Sequence, residues 1–153
     1  MGTITLKRTD SGDTDFRLLI KELDTDLRQR NGDVMDIYDG HNVIEQIDTV
    51  VIAYLDGRPL GCGCFKNYRN DTVEIKRMYV RPGARGKGIS RMILTELENW
   101  AKSLGFRYVV LETGTKQQEA LGLYNRAGYR NIPSYPPYID LPDSICFKKS
   151  LLG

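Results

Sequence analysis

A chain of 153 residues, 41% apolar and 27% charged, is long enough for one continuous core and has an ordinary globular composition. No apolar run approaches the ~18 residues that cross a bilayer, and a net charge of +2 with no recognition motif argues against a nucleic-acid or membrane partner. The charge is unevenly placed: Asp10 to Asp48 holds 11 acids and 4 bases, whereas Lys76 to Arg91 holds six bases and no acid.

The N-terminal Met1–Lys7 segment lacks the basic-then-apolar pattern of a secretion signal, and Leu6 stands where a myristoylation motif wants Ser or Thr. A cytoplasmic location is the expectation. Residues 3–8 alternate apolar and polar and predict a first strand. Phe16, Leu19, Ile20, Leu23 and Leu27 have the spacing of an amphipathic helix over 13–28, and a weaker helix is expected between Met35 and Ile47. Residues 48–55, 60–68 and 72–80 read as three strands, with Asp56-Gly57 a hairpin signal and Arg69-Asn70-Asp71 a tight turn. Cys62 and Cys64 alternate with glycines and so point to one face. Three cysteines, with no partner cluster and a single histidine (His41), make a metal site unexpected.

The pattern then changes. Ile89, Met92, Ile93, Leu97, Trp100, Ala101 and Leu104 form the stripe of a long helix closed by Gly105. Residues 107–111 read as a buried strand. Thr115-Lys116-Gln117-Gln118 reads as a capping box that starts a short helix ended by Gly128, and 129–132 and 144–151 are two last strands. The order predicts an α+β to mixed α/β fold: one three-layer domain with a mostly antiparallel sheet of about seven strands and about four helices.

The turn Arg85-Gly86-Lys87-Gly88-Ile89-Ser90 joins a strand to the long helix. Glycines let the backbone approach a ligand, and a helix start offers unpaired N–H groups with a partial positive charge. Helix starts usually carry an acid or a capping hydroxyl. This one carries Arg85, Lys87 and Arg91, and its first acid is Glu96, two turns in. A multiply charged anion at the turn removes that conflict. The anion is not held by a Walker A loop, because Gly88 stands where Ser or Thr is needed and Arg81 where the first glycine is needed. A dinucleotide Gly-x-Gly-x-x-Gly fails at Arg91.

On these residues the chain resembles the GCN5-related N-acetyltransferase (GNAT) superfamily. Residues 85–90 are similar to that family's pyrophosphate loop, Arg/Gln-x-x-Gly-x-Gly/Ala, with Ser90 in place of a frequent glycine. Residues 74–82 are similar to its fourth strand, 120–129 to its Leu-Tyr-x-x-x-Gly-Phe/Tyr segment, and 146–151 to its last strand. The likeness spans roughly residues 48–151. It implies an acyl-CoA-binding core over 48–151 and an acceptor-side strand and helices over 1–47, together one acetyltransferase domain. The implied reaction is acetyl transfer from acetyl-CoA, a co-substrate, to a primary amine of a small molecule or peptide, with no metal. Dimers are common among similar proteins, and the sequence leaves a homodimer open.

The resemblance also assigns roles. The loop Arg85, Gly86, Lys87, Gly88, Ile89 and Ser90 would cradle the pyrophosphate. The backbone of Met78 and Val80 would pair with the pantetheine arm, and an N–H at Met78 would stabilise the oxyanion. Tyr124 is the candidate general acid, since a phenol with pKa near ~10 is protonated at neutral pH and can donate to a leaving thiolate. Glu74 is the first candidate for general base, placed by strand alternation on one face with Lys76, Met78 and Val80. Glu112 or a water chain are the alternatives. The acidic N-terminal third would steer a cationic amine, and Tyr135-Pro136-Pro137-Tyr138 forms either an acceptor wall or a rigid surface loop. The competing readings are a non-catalytic acyl-CoA sensor and a nucleic-acid-binding basic patch.

Overall fold

The computed structural model describes residues 2–31 and 46–152, and side chains for 2–26 and 46–152. The second helix expected between Met35 and Ile47, and His41, fall on or border residues outside this set. Among the described residues the order is β1 (Ile4–Thr9), α1 (Thr14–Asn31), β2 (Val50–Leu55), β3 (Arg58–Arg69), β4 (Thr72–Val80), α2 (Ile89–Ser103), β5 (Tyr108–Gly114), α3 (Gln118–Arg126), β6 (Arg130–Ile132) and β7 (Ser144–Ser150). Three helices are therefore described where about four were expected.

The seven strands form one mixed sheet in the order β1-β2-β3-β4-β5-β7-β6. Among the described strands, only β4 and β5 pair in parallel. The Asp56-Gly57 turn takes φ of 51° and 79°, so both central residues are left-handed and the β2–β3 hairpin closes as its sequence demands. On one face, α1 buries Phe16, Leu19, Ile20 and Leu23 against Val50, Ile52, Cys62 and Cys64. The two cysteines do share that face. On the other face, α2 packs Ile89, Ile93, Leu94, Leu97 and Ala101 over Val51, Ala53, Phe65 and Ile75, and α3 adds Tyr124. The α2 stripe is rotated from the expected one. Leu94 is fully buried, whereas Met92 and Leu104 are 37% and 55% exposed, because positions 89, 93, 97 and 101, each four apart, set the contact line.

The expected capping box is absent. Gln117 is the N-cap of α3 and makes no side-chain cap bond. Instead, Gln118 Nε2 donates to the Thr115 carbonyl at 3.2 Å and Thr113 Oγ1 donates to Gln117 Oε1 at 3.2 Å. Thr115 is drawn away from the helix start by β5, whose neighbouring loop takes its N–H at Asp143 O.

Gly63 of β3 lies beneath α2. A Cβ there would come within 3.0 Å of Leu97 and 3.1 Å of Ile93, and would collide with Met78 Sδ. Overpacking of this kind costs about 1–3 kcal/mol. Gly63→Ala is therefore expected to lower the thermal midpoint, a result that calorimetric melting checks.

Candidate active site

The site is built by a strand pair that stops pairing. The β4–β5 ladder runs from Thr72↔Tyr108 to Ile75↔Leu111 and no further, although β4 continues to Val80 and β5 to Gly114. The two strands therefore diverge and leave a cleft whose β4 wall has backbone groups outside the β5 ladder. Arg81 N–H donates to Leu60 O on β3 at 2.8 Å, so by strand alternation the N–H and C=O of Val80 face the cleft.

A β-bulge sits at the point of divergence. Cys62 pairs with Tyr79 and Cys64 with Lys76, so Arg77 and Met78 together oppose Gly63, and Arg77 adopts φ of 62°. The extra residue reverses the alternation along β4. Val80 and Met78 pack with Ile75 on the α2 face. Glu74 lies on the opposite face, in register with Val110 and bonded to Tyr135. The expectation that Glu74 shares a face with Met78 and Val80 is thereby corrected; only Lys76 stays with it.

Between β4, the glycine turn, the start of α2 and α3 lies a cavity of about 520 Å³. Pro82–Ala84 forms a short 3-10 turn. Gly86 and Gly88 then take φ of 80° and 79°, a left-handed backbone that glycine tolerates, and a Cβ at either would meet nothing within 4 Å. Gly88 is the N-cap of α2, with no side-chain cap and no acid in the first turn. The first N–H groups of the helix have no intrahelical acceptor, and Gly88, Ile89, Ser90 and Arg91 line the cavity. The donors, the open glycine backbone and the volume fit a diphosphate with its attached chain. Arg85 crosses the same space: its Nε donates to Val80 O at 2.8 Å. Lys87 is exposed beside the turn.

Tyr124 reaches the cavity from α3. It is 4% exposed and lies edge-on to Tyr129 and tilted to Phe147, at 5.7 and 6.1 Å between centroids. Burial pushes its phenol up, with the nearby Glu112 adding to the effect, so it holds its proton at neutral pH. Glu112 follows Leu111, the last residue of β5 paired with β4. Burial pushes its carboxyl up to about 7; Glu74 adds to the rise, while the Ser144 hydroxyl bond at 2.5 Å and Lys76 oppose it.

Glu74 is 4% exposed and does not line the cavity. Its Oε2 accepts the Tyr135 hydroxyl at 2.7 Å. Tyr135 and Tyr138 are 8% and 2% exposed and stack edge-on with each other, while Tyr68 meets Tyr135 in the same way. Tyr135 and Tyr138 therefore anchor the segment on β4, β5 and β7, while Pro136 and Pro137 between them are exposed.

The uneven charge has a structural reason. Glu22, Asp24 and Asp26 of α1 meet Arg81, Arg77 and Arg85, at 2.7, 3.2 and 3.7 Å. Half of the six bases between Lys76 and Arg91 are thus tied to the acidic helix. Asp26 and Ser144 were missed in the sequence. Acids two apart on α1 against arginines four apart were the available signal for Asp26; Ser144 had none.

The raised Glu112 carboxyl links stability to pH. Its folded value of about 7 exceeds its ordinary 4.5, so its stabilising contribution is complete below about pH 4.5 and is lost as pH rises through about 7. Melting midpoints measured between pH 4.5 and 7.5 are expected to carry this downward component, and Glu112→Gln is expected to remove it.

Comparison with known proteins places these features in context. The family model described as "Acetyltransferase (GNAT) family" matches residues 16–129. An IAA acetyltransferase from Azospirillum brasilense is 33% identical over 102 residues, covering 66% of this chain and 67% of that protein. The "Probable N-acetyltransferase 14" of Xenopus tropicalis is 32% identical over 104 residues, covering 66% of this chain; the chain spans only 49% of its length. A solved structure from Klebsiella pneumoniae, assigned by name alone as an acyl-CoA N-acyltransferase, superposes with a TM-score of 0.79 at 28% identity, covering 99% of this chain and 98% of that one. The yncA acetyltransferase of Salmonella typhimurium, solved with acetyl-CoA, shares the fold at a TM-score of 0.69 and 18% identity, covering 97% and 94% of the two chains.

Proposed function

Because this chain belongs to the Acetyltransferase (GNAT) family, a family of acyltransferases, we propose that it transfers the acetyl group of acetyl-CoA to a primary amine of a small molecule or peptide. The observation that carries the reading is the cavity. An uncapped helix start, two left-handed glycines and a strand edge outside the β5 ladder open onto the same space as a buried, protonated tyrosine. The yncA complex with acetyl-CoA supports the choice of ligand.

In this account residues 48–151 hold the acyl carrier and 1–47 lie on the acceptor side, with Leu23 and Asp26 of α1 also reaching the carrier cavity. The turn Arg85–Ser90 takes the pyrophosphate, and the Val80 and Met78 backbone takes the pantetheine amides as an added strand would. The amine nitrogen attacks the thioester carbonyl carbon, and the carbonyl oxygen becomes an oxyanion held by the Met78 N–H. That attack forms the C–N bond; collapse of the oxyanion restores the C=O bond and breaks the C–S bond. Tyr124 gives its proton to the departing thiolate, and a carboxylate takes the proton lost by nitrogen. Glu112 suits the second task better than Glu74. It stands where the strands part, near enough to Tyr124 to raise its pKa, and it titrates close to neutrality. Glu74 is engaged by the Tyr135 hydroxyl, and neither carboxylate lines the cavity itself.

Release of free CoA thiol, measured over a panel of primary amines, tests the function. Turnover on one class of amine is the expected outcome. Acetyl-CoA binding without turnover on any small or peptide amine would favour a non-catalytic acyl-CoA sensor.

A further inference from the structure

Three acids of α1 face three arginines of the β4 region, and the three pairs are not alike. Arg81 is bound at two points by Glu22, at 2.9 and 2.7 Å, with a third bond to Pro59 O at 3.0 Å. Arg77 meets Asp24 at 3.2 Å, and its side chain is 6% exposed. Arg85 meets Asp26 at 3.7 Å, beyond hydrogen-bond length, with both side chains partly exposed. Only this last, loosest pair has both members in the cavity lining; Glu22, Asp24, Arg77 and Arg81 are not part of it.

An acid in a cavity built to take an anion works against the ligand, and Asp26 is placed to do so through Arg85, whose guanidinium it engages. The Arg85 guanidinium is pinned at one end, where Nε donates to Val80 O at 2.8 Å. It lies 5.9 Å from the Tyr79 ring centroid, and its Nη2 end is turned toward Asp26. With Nε bonded to Val80 O, the donors on the two terminal nitrogens are the ones that can meet a ligand. A phosphate offers these nitrogens more charge and a bidentate geometry, which a carboxylate at 3.7 Å does not.

We infer that Asp26 competes with the ligand for Arg85: it engages the guanidinium across the cavity, and the diphosphate of an acyl-CoA must take over that contact. Asp26 thereby sets the affinity for the phosphate-bearing part of the ligand through Arg85. The inference rests on the acyl-CoA reading above and adds a residue to it that the family's loop pattern does not contain.

Calorimetric titration with CoA and, separately, with pantetheine tests it on wild type, Asp26→Asn, Arg85→Gln and the double variant. Asp26→Asn is expected to lower the dissociation constant for CoA about three- to tenfold and to leave that for pantetheine within about twofold. The CoA effect is expected to shrink with added salt. Arg85→Gln is expected to weaken CoA binding, and Asp26→Asn to have no further effect in that background. Unchanged or weaker CoA binding by Asp26→Asn overturns the inference. So does an equal tightening in the Arg85→Gln background, which would assign the effect to the carboxylate's own repulsion. Failure of every variant and of wild type to bind CoA overturns the inference together with the acyl-CoA reading, whereas failure of the asparagine effect alone leaves that reading standing.

Discussion

Replacing Tyr124 by Phe is expected to lower kcat for amine acetylation by about 10²–10⁴-fold, with the KM for acetyl-CoA changed by less than about threefold. The substitution removes one hydroxyl from a ring already packed against Tyr129 and Phe147, so the core keeps its shape and the melting midpoint should hold. What it removes is an acid that burial and Glu112 keep protonated at neutral pH. A thiolate leaving without that proton must recruit one from water in a cavity whose walls are mostly side chains. An unchanged kcat would mean that Tyr124 is only a core aromatic.

The second large effect concerns Glu112. With its carboxyl near 7, kcat/KM is expected to climb with pH along a limb whose apparent pKa is close to 7, then level off. Ionisation is what makes the residue a base, so the limb rises, and it lies well below the ~10.4 of a free alkyl amine. Glu112→Gln is expected to cost roughly 100-fold at pH 8 and to flatten the limb. Glu74→Gln should keep the limb and move it to lower pH, because Glu74 is bound to Tyr135 and its charge adds to the rise of the Glu112 carboxyl. If the glutamine at 74 flattens the profile and the one at 112 does not, the two roles are exchanged.

Local chemistry was legible in the sequence, and long-range geometry was not. The glycine turn could be read because its meaning is local: left-handed glycines and a helix start without an acid act on their own neighbourhood. The Asp56-Gly57 hairpin and the C-terminal stop at Gly105, φ 94°, were visible for the same reason. Glu74 was misplaced by one residue of backbone. Nothing in Lys76-Arg77-Met78 signals a bulge; left-handed positions usually carry Gly or Asn, and here an arginine takes one while paired to Asp24. A single inserted residue inverts every later side chain on the strand, so an alternation argument fails completely once it crosses position 77.

The acceptor side was read least well. The acidic stretch from Asp10 to Asp48 suggested a steering field, and three of its acids, Glu22, Asp24 and Asp26, reach arginines on β4 or the turn beside it. Tyr135 and Tyr138 lie some 60 residues beyond Glu74 in sequence and meet it only because β7 pairs with β5. Contacts of that separation leave no periodic trace in the chain.

The central claim is that an acyl-CoA binds with its diphosphate at the start of α2, and calorimetric titration of acetyl-CoA against wild type and Ser90→Glu tests it most directly. Ser90 is the second residue of α2, in a first turn without an acid. An added carboxylate there favours the helix dipole, so the fold should be as stable as before or slightly more so. The same carboxylate sits where the account places phosphate, and it should weaken acetyl-CoA binding by about 30-fold or more. Binding to wild type that is lost in Ser90→Glu, at an unchanged or higher melting midpoint, is the predicted result. No binding to wild type, or equal binding to both, would contradict the account.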